Sequence, residues 1–413
     1  MTMWIGRPGH LRAFKEAATT FDRSPQSGTT EFRSLAGGIT TWTPPIRPRR
    51  LKLAWQNMLP DDLAHLDRLA RRVDGPGPVA VIDPASANWL LPSQAKGVRG
   101  GYGTSLWFGA PPVTIGGGTG AYDPVTVTVN QPDEITTFVY YGPNAGYGYP
   151  VVPGTRITWW APSLATTAHQ QRLYWIKADG GTSTGLNWTS TMDRPMTVTV
   201  PPDIAYVRPA VKFNRSCRDI PVGESILRPA APEDASLRLA NRQAFSTTQQ
   251  QGLAPLAQWQ ALAGATLSEA GGAAQVTIPG SGTFVWVPGD GKPGFPVTPG
   301  QTAVFTTSFS KIEFSGVDFL DAAGTLISGT NLSAMRAPAG AVYVRPWVFA
   351  SAVTTPTPIG AGSLVLWDAA PSLPAGEGTG LYSVTDYGQT VRPGMLNSRD
   401  VSLELVEVAH ATG

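Results

Sequence analysis

Apolar and polar residues alternate in short runs along most of this chain, and Gly and Pro break the runs at intervals of roughly ten to fifteen residues. A period of two turns every second side chain of a strand to one face, so such runs predict half-buried strands. Over residues 50–55, Leu51, Leu53 and Trp55 alternate with Lys52 and Ala54; a second short strand is expected over residues 40–45. One stretch changes to helical spacing. Leu63, Leu66, Leu69 and Val73 form an apolar stripe behind Pro60, Asp61 and Asp62, with Arg68, Arg71 and Arg72 towards the other end and Gly75-Pro76-Gly77 as a stop. Proline at the first turn, acids at the positive end and bases at the negative end all favour a helix there. A strand over residues 79–82 follows. Residues 1–34 are polar, with turn signals at Arg7-Pro8-Gly9 and Ser24-Pro25, and read as an arm or loop followed by short strands.

The chain then repeats itself. GYPVVPGTRITWWA, beginning at Gly148, returns as GFPVTPGQTAVFTT at Gly294. WIKADGGT at Trp175 aligns with FLDAAGTL at Phe319, and AYVRPAV at Ala205 with VYVRPWV at Val342. Three matched blocks in one order mean two copies of one unit. The first copy predicts strands over residues 125–129, 136–141, 155–160, 173–176, 196–200 and 205–213. The second predicts them over 274–278, 283–287, 303–308, 317–320 and 341–349. Short strands at this spacing, in units of roughly 125 residues, suit a β-sandwich.

Setting the copies side by side sorts inward from outward positions. Trp159 matches Phe305 and Trp160 matches Thr306, so the shared large apolar position faces the core and Trp160 is expected to face out. By the same logic Leu173, Trp175, Val317 and Phe319 face inward, while Tyr174 and Asp318 face outward. Trp160 and Tyr174 form the candidate contact surface, because aromatic faces bury large area against sugars or proteins at low entropic cost. The alternative is that they pack under a loop, a neighbouring domain or a subunit. The repeated positions Pro153, Gly154, Tyr206, Arg208 and Pro209, with Pro299, Gly300, Tyr343, Arg345 and Pro346, read as a fold signature. Arg208 and Arg345 could hold a carboxylate or phosphate, but an ion pair or carbonyl cap within the fold is the first reading. Asp179 has Ala323 as its counterpart, so any turn or ion role of that aspartate is not shared.

With 413 residues, 42% hydrophobic, the chain can bury several cores, and 46 Gly and 38 Pro with only 15% charge favour turns and strands over helix bundles. The formal net charge of +2 gives no field that would recruit DNA or an acidic membrane. Residues 1–100 are more basic, with 14 Lys and Arg against 8 Asp and Glu, and the run Arg47, Arg49, Arg50, Lys52 reads as a solvated edge or intersubunit contact. Cys217 stands alone, which excludes an internal disulfide, and reads as a small buried apolar group. The N-terminus lacks the apolar stretch of a secretory signal, and synthesis and assembly in a cytoplasm are expected. The four histidines, His10, His65, His169 and His410, have no metal-ligand spacing, and His65 is placed on the helix surface. GTSTG at Gly181 lacks the helix that a nucleophile elbow requires and reads as a polar turn. GGGTG at Gly116 lacks the Lys of a phosphate loop. The pairs Asp133 with Glu134 and Glu233 with Asp234 are adjacent and read as solvated, whereas glycosidase carboxylates face each other across a bond. No enzyme, cofactor or metal is expected.

The order RLKLAWQNM, PDDLAHLDRLARRV, a Gly/Pro turn and VAVIDPASANWL resembles the N-terminal domain of distal tail and minor tail proteins of long-tailed phages, of the actinobacterial type. RDVSLELVEV at Arg399 resembles the strand that closes that domain. The doubled units resemble the jelly-roll, carbohydrate-binding-like modules inserted into such proteins. The expected fold is mainly β. A small N-terminal α+β domain of tail-ring type occupies residues 1–102 and is completed by 385–413. Tandem sandwiches occupy 103–230 and 231–370, and 371–413 forms a linker and the returning strand. The resemblance implies a virion protein of the tail tip, forming a ring with copies of itself between the tail tube and the hub or baseplate, with lateral sandwiches. The alternative is adhesion to a host cell-wall glycan through the sandwiches. Neither membrane nor nucleic acid is an expected partner, apart from DNA passing through the tail lumen.

Overall fold

A computed structural model describes residues 3–25, 29–34, 37–42, 48–133, 135–142, 148–332, 334–378, 380–391 and 398–408. Arg47, Glu134 and His410 lie outside the described residues.

Both ends of the chain build one sheet. Its strands run in the order His10–Phe14, Met3–Arg7, Val79–Ile82, Leu381–Val391, Arg399–Glu407, Arg49–Met58 and Thr20–Pro25, all antiparallel. The Arg49–Met58 strand buries Leu51, Leu53, Trp55 and Met58, as its alternation predicts. The helix is Pro60–Ala70 and lays Leu66 and Leu69 on this sheet, among Ile5, Phe14, Leu403 and Leu405. It stops before Val73, which is 60% exposed, because Arg72 already has a positive φ of 55°. His65 is not a surface group. Its Nε2 lies 3.0 Å from the Ile5 carbonyl, and the ring sits half-buried against Phe14. The expected polar arm is largely strand, with Arg7-Pro8-Gly9 as the turn of a hairpin and Pro25 at the end of a strand instead of in a turn. Two C-terminal strands return to the sheet, where the closing strand alone was anticipated.

The outgoing and returning chains are tied together where they leave this sheet. Glu377 N–H donates to the Asn88 carbonyl at 2.7 Å, and Gly378 N–H to the Leu90 carbonyl at 3.0 Å. Asn88 is fully buried; its Nδ2 donates to the carbonyls of Ser225 and Pro374, and its Oδ1 accepts from the N–H groups of Leu90 and Leu227. A buried amide costs free energy unless all its groups are paired, and this one is paired on both sides. Glu377 also accepts from Ser86 Oγ and Ala87 N–H and pairs with Arg23.

The first sandwich has one layer of Thr182–Thr189, Ala168–Ile176, Tyr206–Phe213, Phe138–Tyr141 and Trp107–Phe108, with Tyr149–Pro150 also paired to Tyr206–Phe213. Two smaller sheets cover it: Met196–Thr199, Arg156–Trp160 and Ile226–Pro229, then Cys217–Pro221, Val125–Val129 and Val113–Gly117. Trp89, Leu90, Leu91 and Ala95, before the expected boundary at residue 102, pack into this core. The second sandwich sets Trp259–Ala261, Ala273–Trp286, Tyr343–Pro358, Phe314–Leu320 and Leu326–Thr330 against Asn241–Gln243, Gly362–Trp367, Thr302–Thr307 and Ala334–Arg336. The two strands expected over residues 274–287 are one strand with register shifts between Val276 and Ser281. The chain is mainly β, as the alternation predicts.

Candidate functional site

The doubled sequence has a local cause in each block. Pro153-Gly154 and Pro299-Gly300 are the centres of tight turns: Thr155 N–H donates to the Val152 carbonyl, and Gln301 N–H to the Thr298 carbonyl. Gly154 and Gly300 have φ of 80° and 90°, values a side chain opposes and glycine accepts. Gly148 and Gly294 open each block for another reason. A Cβ there would stand 2.1 and 2.7 Å from the carbonyl oxygens of Val207 and Val344.

Pro209 and Pro346 lie inside strands, where a missing N–H is usually costly. Each falls where its strand changes neighbour. Tyr206–Phe213 pairs with Phe138–Tyr141 from Lys212 to Ala210 and with Tyr149–Pro150 at Val207 and Tyr206. Tyr343–Pro358 likewise pairs with Ala273–Trp286 as far as Trp347, and with Phe295–Pro296 at Val344 and Tyr343. The proline occupies the gap between the two neighbours, which explains its place in the signature. The tyrosines diverge: Tyr206 is buried against Ala80 and Leu381 of the first sheet, and Tyr343 is half-buried.

Trp159 and Phe305 are fully buried, as are Leu173, Val317 and Phe319, with Trp175 at 1% exposure. Trp160 overturns the expected facing. It is also fully buried, and its Nε1 donates to the Met192 carbonyl at 3.0 Å. The outer side of its strand is covered by the linker between the sandwiches. Thr158 Oγ1 donates to Asp234 Oδ2 at 2.6 Å, and Asp234, in the Pro232–Ser236 turn, is buried and paired with Arg228. Asp234 is therefore not solvated, contrary to the expectation for that pair. Thr306 of the second copy is exposed, so the copies differ at this position because only one is covered.

Tyr174 faces outward, half-buried, with Asp318 as its counterpart. Around it on the outer face of the six-stranded layer lie Phe108, Phe138, Tyr140, Arg172, Arg208 and Lys212. Phe108 and Tyr140 stack at 5.0 Å and 12°, and Tyr140 and Tyr174 are 5.4 Å apart. Arg208 stands over the Phe108 ring at 5.3 Å, and Arg172 over Phe138 at 4.7 Å. Burial, then the neighbouring Tyr174, pushes the Tyr140 hydroxyl up to about 12, so it stays protonated as a donor. Burial lowers Arg208 from its ordinary value. In the second sandwich the matching pair is an ion pair, Arg345 Nη2 to Asp318 Oδ2 at 3.1 Å. The two arginines thus keep the backbone signature and differ in partner: a ring in one copy, a carboxylate in the other.

Other candidates resolve as structural. GTSTG runs from Gly181 into the Thr182–Thr189 edge strand and is not a turn. Asp179 Oδ1 accepts Gly181 N–H, and in the second copy Asp321 takes over by accepting from Ala323 and Thr325. Asp133 caps the N–H groups of Ile135 and Thr136, and these bonds, with that from the Thr136 hydroxyl first among them, lower its pKa. Arg49 pairs with Glu407 and Lys52 with Glu404, so these members of the basic run bridge to the returning strand. Cys217 is buried, which pushes its thiol up to about 11. Among the described residues no three His, Cys, Asp or Glu side chains converge as metal ligands, and no helix is long and apolar enough to cross a membrane. Sequence reasoning missed Phe108, Phe138, Tyr140, Arg172 and Lys212, although Val139 and Tyr141 beside Tyr140, and Val211 and Phe213 beside Lys212, alternate with them as inward positions.

No protein-family model and no curated protein matches the chain. Among solved structures, the chain is similar to the N-terminal CBM22-1–CBM22-2 tandem domain of Xyn10C from Paenibacillus barcinonensis. The identity is 9% and the TM-score 0.20, covering 78% of this chain and 100% of that one. It is also similar to the VP2 subviral particle of infectious bursal disease virus, at 11% identity and a TM-score of 0.16, covering 84% of this chain and 83% of that one. At these scores neither likeness bears on function.

Proposed function

We propose that this chain is a non-catalytic structural protein of a phage tail tip, in which the sheet built from both chain ends is the assembly domain and the sandwiches project from it. One observation supports this reading above the others: the outgoing and returning chains are clamped at Asn88 and Glu377, so both sandwiches hang from a single closed domain. A domain built from strands near both ends of the chain can pack into a ring without releasing the modules it carries, and closed rings suit repeated heterologous contacts. The ring would join the tail tube to the hub. An antibody against the chain should label the tail tips of virions whose genome encodes it, and the purified protein should form ring-shaped oligomers in negative stain. A protein absent from purified virions overturns the reading.

The second reading is adhesion to a host-surface glycan. The aromatic and cationic outer face around Tyr174 favours it, because rings flanked by hydrogen-bonding groups suit sugar recognition.

A further inference from the structure

The second sandwich carries a shallow cleft of about 500 Å³ on the outer face of its seven-stranded sheet, lined by Thr283, Phe314, Asp318, Asn331, Trp347 and Phe349. It stands on the layer equivalent to the Tyr174 face. Its chemistry is different. Alternation along Tyr343–Pro358 puts Arg345, Trp347 and Phe349 outward while Val344, Pro346 and Val348 are buried. Phe349 lies opposite both Thr283 and Phe314, and the Phe314 ring is 6.0 Å from that of Phe349 at 42°. Phe314 is 54% exposed, although removing so large an apolar side chain from water favours folding. The cleft therefore presents three rings, one carboxylate, one amide and one hydroxyl in a small space.

We propose that this cleft binds an uncharged glycan, with a pyranose ring against Trp347 and Phe314 and its hydroxyls on Asp318, Asn331 and Thr283. Charge selects against an ionic ligand, because the Asp318 carboxylate is neutralised by Arg345 and remains an acceptor without a net field. Size suits a small ligand, since about 500 Å³ falls within the roughly 300–1,000 Å³ of small-molecule sites. The proposal extends the adhesion reading to a named site and ligand class, and it is independent of ring assembly.

The test is a glycan array followed by calorimetric titration with the full chain. Binding of an uncharged oligosaccharide is expected, weakened at least tenfold by Trp347→Ala and by Phe314→Ala, and unchanged by Tyr122→Ala, which removes an exposed ring elsewhere. Phe314 is a surface group, so its variant should keep the wild-type melting temperature and stay informative if Trp347→Ala unfolds. Asp318→Asn should shift preference towards acidic glycans by freeing Arg345. Uncharged-glycan binding that both variants leave intact overturns this site while sparing adhesion; a wild type that binds no glycan, or acidic ones alone, overturns both this site and its ligand. Self-association abolished by Trp347→Ala would instead make the cleft an interface and also overturn the proposal.

Discussion

Trp160 and Tyr174 separate two outcomes that look identical in sequence, an aromatic residue at an outward strand position. Trp160→Ala should cost about 3–5 kcal/mol, because it empties a fully buried site and leaves the Met192 carbonyl without its donor. Tyr174→Ala should cost clearly less in the same urea titration, since that side chain is only partly buried. Asp234→Ala should also destabilise, but by less than the roughly 3–5 kcal/mol of a fully broken buried pair, because Arg228 keeps the exposed Glu233 at 3.2 Å. His65 adds a pH dependence. Burial lowers its pKa, assisted by Arg12 and opposed by the Ile5 carbonyl, Asp62 and Asp74. The unfolded imidazole therefore takes up its proton first, and stability is expected to fall as pH drops below about 6.5. Melting temperatures of the wild type and His65→Gln across that range would measure it; equal slopes would remove His65 as the cause. None of these environments is legible one residue at a time, because burial depends on what crosses above the side chain.

At the level of elements the sequence is far more informative. Period two, the helix-capping charges and the Pro-Gly turns are local, and each found its element: Pro60–Ala70, Val79–Ile82 and Val125–Val129 match their expected spans within a few residues or better. The repeated turns make a paired prediction. Gly154→Ala and Gly300→Ala should each cost about 1–2 kcal/mol, because both glycines hold positive φ. Equilibrium denaturation checks this, and matching losses are expected from the two copies. The first hairpin was missed because its strands alternate weakly and gain their apolar surface only from the sheet and helix beside them.

For the whole molecule, the decisive contacts join residues nearly three hundred or more positions apart. The Arg399–Glu407 strand lies between Leu381–Val391 and Arg49–Met58, so removing residues 398–413 exposes two paired edges and uncovers Trp55 and Leu53. Limited proteolysis should then cut the first 82 residues while both sandwiches survive; simultaneous loss of all three bodies would show instead that they fold as one unit. The sequence by itself determined the strand-rich composition, the duplication, the turns that open each copy and the inner faces of matched strands, since these follow from local sterics and side-chain periodicity. It also carried the resemblance on which the tail-tip proposal rests. Tertiary structure alone decided that Trp160 is covered, that Asn88 and Glu377 clamp the outgoing and returning chains, and that aromatic rings from separate strands meet on an outer face. Those facts depend on which distant segment packs over which strand, and no local pattern encodes that choice.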